Sequence, residues 1–105
     1  MKIALILSLL FLGFNQVPVP KPTVQKQHQL CGPGSVTLVA SKPVEGVVKW
    51  YTKLEGSTVI HTGNSYTTPT LTESRTFWIS LMDSNGRESE RVDVVVKVLD
   101  KSECD

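Results

Sequence analysis

The sequence predicts an all-β domain of the sandwich or barrel kind, with about six to seven short antiparallel strands. Three observations carry this. From Ser35 to Leu99, β-branched residues and turn signals alternate about every eight to twelve positions. No apolar run repeats with the ~3.6-residue period of a helix. The pair Asn85-Gly86 tolerates left-handed backbone at both positions and separates the two longest β-rich runs as a hairpin turn.

The first strand is expected at Ser35–Ser41, with Val36, Leu38 and Ala40 on one face, and it turns at Pro43 to Gly46. The second is Val47–Lys53, closed by a turn containing Gly56. Thr58–Thr62 and Ser65–Thr68 follow as short strands, punctuated by Gly63-Asn64 and Pro69. Arg75–Asp83 is a long fifth strand and Glu90–Leu99 a sixth. Side chains along a strand alternate between faces. The inward set is therefore Val36, Leu38, Val48, Trp50, Phe77, Ile79, Leu81, Val92, Val94, Val96 and Val98.

A chain of 105 residues is one domain at most. Eleven basic and ten acidic residues leave a net charge of +1, which provides no field for nucleic acid or an anionic membrane. Met1 and Lys2 precede an apolar run from Ile3 to Phe14, too short for the ~20 residues a membrane helix needs but matching the apolar region of a secretory signal. No pattern of small residues marks a cleavage site, and cleavage is expected near Asn15–Val17. Residues 1–16 are thus expected to be a signal peptide, which leaves no membrane span after its removal and places the protein outside the cytoplasm, secreted, periplasmic or at the cell surface. Residues 17–30, with Pro18, Pro20 and Pro22, read as an extended linker or a weak edge strand. Residues 31–105 are then the folded domain.

Alternation has a second consequence. With Trp50 inward, Tyr51 points outward, and with Phe77 and Ile79 inward, Trp78 does too. Tyr51 and Trp78 are expected on one exposed face with Lys49, Lys53, Met82, Val95 and Lys97 around them. Exposed aromatics beside apolar neighbours suit a recognition surface for a sugar or a protein. The plainer reading is a cross-strand pair that only stabilises the sheet.

Four segments in order, CGPGSVTLVAS, VKWYTKLEGSTVI, HTGNSYTTPTLTESRTFWISL and DSNGRESERVDVVVKV, together resemble the immunoglobulin-like repeat of secreted and cell-surface Bacteroidota proteins, over Cys31 to Leu99. The resemblance implies an immunoglobulin-like β-sandwich without catalytic residues or cofactors, of a kind found in tandem in exported adhesins and polysaccharide-degrading enzymes. Two departures stand out. A single copy is expected, with no sorting domain after it. The repeat's turn cysteine is replaced by Arg87, and a cysteine stands instead at Cys104.

Two cysteines in an exported chain suggest one disulfide. Six strands reversing at each turn return the last strand to the end where the first began, so Cys31 and Cys104 are expected close together. A bridge closing a loop of about 70 residues would contribute roughly 4 kcal/mol. The rival arrangement is two free or intermolecular thiols, since both cysteines lie in flanking tails. Neither His28 nor His61 completes a metal site with them. Asp83, Asn85 and Glu88 cluster hard oxygens, but a hairpin turn explains them without calcium. No Gly-x-Ser-x-Gly elbow occurs, and the carboxylates are scattered over turns. The expected function is non-catalytic: adhesion, spacing or protein interaction at the cell exterior. The alternative is a free-standing carbohydrate-binding module or small secreted inhibitor that uses the aromatic face. A glycan or a protein outside the cell is the expected partner.

Overall fold

A computed structural model describes residues 17–104, and the expected signal segment lies outside the described residues. Among the described residues, eight strands form two sheets: β1 (Thr23–Val24), β2 (Gln27–Cys31), β3 (Thr37–Ser41), β4 (Gly46–Tyr51), β5 (His61–Thr62), β6 (Ser65–Thr67), β7 (Arg75–Asp83) and β8 (Val92–Leu99), followed by a 3-10 turn at Lys101–Glu103. One sheet runs β1-β3-β6 and the other β2-β8-β7-β4-β5. The chain is an immunoglobulin-like β-sandwich, as the sequence predicts.

The inner faces meet over a core that holds every residue of the expected inward set. Leu38, Val48, Trp50, Phe77, Ile79, Leu81, Val94 and Val96 are buried, and Val36, Val92 and Val98 pack against them. Trp50 meets the requirement of a buried indole by donating from Nε1 to the Gly63 carbonyl at 2.8 Å. Its ring lies 5.5 Å from that of Tyr66, which in turn meets Phe77 edge-on at 5.6 Å. Gly46 opens β4 directly beside β7. A Cβ at this position would collide with the Met82 carbonyl oxygen, so only glycine allows the approach.

The stretch read as a linker behaves differently. Val19 is buried in the core cluster, and Val24 and Leu30 pack against it. β1 pairs antiparallel with β3, and β2 pairs in parallel with β8 through five register partners, from Gln27 with Val95 to Cys31 with Leu99. The weak-edge-strand reading is thus the one the structure takes. The physical reason is that an open edge of β8 needs a partner for its backbone groups. The residues after the prolines supply it, since Gln27–Cys31 contains no proline.

A second departure lies between β7 and β8. Met82 bridges to Glu88 while Ile79 is in register with Val92, so Ser80 and Leu81 on one strand face Ser89, Glu90 and Arg91 on the other. This is a one-residue bulge. Ser89 closes it: its backbone N–H donates to the Leu81 carbonyl at 2.8 Å, and its Oγ accepts from the Leu81 N–H at 3.0 Å. A bulge inverts the alternation beyond it. Glu88 would share the inward parity of Val92 and Val94 in an unbroken strand, but faces outward with Met82 instead.

Candidate functional site

The outer face of the five-stranded sheet is set by β4, β7 and β8. Tyr51 is in register with Trp78, Trp78 with Asp93, Lys49 with Ser80 and Val47 with Met82. The sequence places Tyr51, Trp78, Lys49 and Met82 on one face, and the structure brings these four together. Lys53 does not join them: it lies beyond the end of β4 in the following turn.

Tyr51 is not exposed, which corrects the sequence-based expectation. Only 4% of its surface is open. The Arg91 guanidinium lies over its ring, 3.4 Å from the centroid. Arg91 is anchored there by donating from Nη1 to the carbonyls of Lys53 at 2.7 Å and Gly56 at 3.0 Å. Below it, the Tyr51 hydroxyl and the buried Ser80 hydroxyl both donate to Oε2 of Glu88. Nothing in strand periodicity signals this cover, because it depends on the reach of Arg91 to two carbonyls in a turn, and the Glu88 partner below depends on the bulge that turns it outward.

The charges of this cluster are mutually consistent. Burial raises the Tyr51 phenol, and the hydrogen bond to Glu88 raises it further. For Glu88, burial alone would push the carboxyl up, but hydrogen bonds from Ser80 and Tyr51 and the charges of Lys49 and Arg91 hold it below its usual value. A hydroxyl bonded to a carboxylate has the form of a nucleophile with its base. Ser80 is fully buried, however.

The rest of the face is open. Trp78, Lys49, Met82, Asp93 and Val95 are half-buried, Lys97 is exposed, and 46% of Val47 is open to solvent. Lys26 pairs with Asp93 at 2.9 Å, and this contact holds the Asp93 carboxyl below its usual value. The face therefore presents one aromatic ring, apolar neighbours and a carboxylate–ammonium pair.

The remaining candidates are structural. His28 bonds the Gln25 carbonyl at 3.0 Å, and His61 bonds the Ser65 carbonyl at 2.8 Å. The Asp83 carboxylate, which invites a calcium reading, is engaged within its own turn. Oδ1 accepts from the N–H groups of Asn85 and Arg87, each at 2.9 Å, and Oδ2 accepts from the Arg87 guanidinium. The Arg87 backbone N–H is the first cause of its lowered pKa. Among the described residues, no group of three histidines, cysteines or carboxylates is placed to hold a metal ion, and no helix is long and apolar enough to cross a membrane. Cys31 and Cys104 form a disulfide with Cα atoms 5.9 Å apart. They meet because β2 runs parallel to β8 and both end at the same pole.

A search of curated proteins found no match. The family model described as "Ig-like domain CHU_C associated" matches residues 19–99, a span that starts at Val19 and takes in β1 through β8. The match and the two-sheet sandwich agree, and the chain belongs to this immunoglobulin-like family.

Proposed function

We propose that this is an exported, non-catalytic interaction module whose contact surface is the open part of the five-stranded sheet around Trp78. The observation that carries the reading is the outward, half-buried Trp78 with Val47, Met82 and Val95 on the same sheet face. Apolar surface grouped around an aromatic and edged by charge is the composition of contact sites. Export is supported by the disulfide, which persists in oxidising compartments, and by the signal-like first residues. Adhesion or spacing at the cell exterior is the role such a surface suits.

A second reading, a carbohydrate-binding module, is favoured by one specific arrangement. Asp93 stands beside Trp78 in register, so a hydroxyl acceptor lies next to a ring on which a sugar can stack. The test uses residues 17–105, made in an oxidising compartment, against a polysaccharide array and against immobilised extracellular proteins. Trp78→Ala is the control. Binding to either class that the control loses by tenfold or more is expected, and the class bound decides between the readings. Binding that survives Trp78→Ala in a folded variant would exclude this face.

A further inference from the structure

We infer that the Cys31–Cys104 bridge makes the domain a load-bypassing link, in which tension along the chain crosses the disulfide and leaves the sandwich between the two cysteines unloaded. The path of the chain points to this role. Val17 lies at the hairpin end of the molecule, where Arg87 donates to its carbonyl at 3.1 Å while also holding Asp83, the last residue of β7. Cys31 lies at the opposite end, in register with Leu99, the last residue of β8. Because β7 and β8 are antiparallel, Asp83 and Leu99 mark opposite poles. Residues 17–31 therefore run once from the hairpin pole to the opposite pole, first beside β3 at the edge of the three-stranded sheet and then beside β8 at the edge of the five-stranded sheet. The bridge then joins Cys31 to Cys104, just beyond the end of β8.

A chain pulled from both sides carries tension along its shortest covalent path. In this protein that path is residues 17–31, the sulfur–sulfur bond and Cys104. The loop between the cysteines, which have a sequence separation of 73, hangs beside it and holds β3 to β8. Without the bond, β2 would be drawn toward the hairpin pole and the end of β8 away from it. The parallel β2–β8 pairs would take the load in shear, and the rest of the sandwich would follow. With the bond in place, Cys31 and Leu99 stay together. Residues 17–31 can peel from the sheet, but their gain is bounded by a fully extended length of roughly 50 Å. The chain path is the same whether or not Trp78 binds a partner.

The test is single-molecule extension of the oxidised full-length chain with handles at both termini, held at a force that unfolds the reduced chain. Reductant is then washed in under load. Before reduction, only the short extension of segments outside the loop is expected, and any length contributed by residues before Val17 is common to both states. After cleavage, a separation of 73 residues releases roughly 260 Å, at about 3.6 Å per residue. A release of that size before reductant arrives overturns the inference. So does its absence after cleavage, confirmed by thiol alkylation of the recovered protein. In-place reduction keeps the test decisive even where a Cys31→Ser, Cys104→Ser double variant does not fold.

Discussion

Tyr51 and Trp78 are cross-strand neighbours with opposite roles. Tyr51 is sealed under Arg91 and tied through its hydroxyl to Glu88, whereas Trp78 remains partly open beside Asp93. Substitutions at the two sites are therefore expected to differ in kind. Tyr51→Phe keeps the packing and the guanidinium contact and loses one hydrogen bond, which costs about 1 kcal/mol. Tyr51→Ala empties a buried site and is expected to cost about 3–5 kcal/mol, as large aromatic truncations do. Neither acts on binding except through folding. Urea unfolding of both variants checks this. Equal stability of Tyr51→Ala and the unsubstituted protein would mean that the ring is not buried. Alternation in the sequence gives the direction in which Tyr51 points, but carries no information on what lies over it. That depends on the reach of Arg91 and on two carbonyls in a turn, those of Lys53 and Gly56.

At the scale of the element, the bulge between β7 and β8 decides most of what the sequence leaves open. Five of the six expected strands are legible as period-2 runs, with ends that differ by at most two residues. The third is legible only in part: Thr58–Thr62 shortens to His61–Thr62. The bulge is not legible, because Ser89, Glu90 and Arg91 read equally well as the start of an unbroken strand. Its result is a carboxylate turned outward against two hydroxyls. Because Glu88 has a folded-state value below its unfolded one, it adds stability that is complete above the unfolded value of about 4.3 and is lost as pH falls through the folded value. Glu88 is exposed enough for solvent to screen it, so Glu88→Gln is expected to cost about 1 kcal/mol at pH 7. The gap to the unsubstituted protein should narrow as pH falls below the unfolded value and through the lower folded one, beneath which both carry a neutral side chain. Asp83 and Asp93, whose values are also lowered, cancel in this comparison. Unfolding curves at pH 7 and pH 3 measure it, and a gap of constant size would rule out the carboxylate as its source.

The whole molecule depends on its first described residues more than their composition suggests. Prolines at 18, 20 and 22 read as a linker, since proline removes ladder donors. The segment nevertheless contributes Val19, Val24 and Leu30 to the core and completes the open edge of β8. Tertiary demand for a strand overrides local composition at this edge, and the sequence cannot display it because the partner lies more than 60 positions away, as with Gln27 and Val95. The same parallel pairing brings the two cysteines together. The expectation that they are close is met, by a parallel last pair rather than by six simple reversals.

The structural role of this leading segment is measured most directly by comparing urea unfolding of residues 17–105 with that of residues 31–105. The shorter chain keeps both cysteines and every strand from β3 to β8. It loses the burial of Val19, Val24 and Leu30, each worth about 1.5–3 kcal/mol when full, out of a total that for domains of this kind is about 5–15 kcal/mol. Residues 31–105 are expected to unfold at a much lower urea concentration, or to lack a cooperative transition. If both chains unfold at the same midpoint with the same slope, the segment before Cys31 is a passive linker, and neither its apolar side chains nor its pairing with β8 holds the sandwich together.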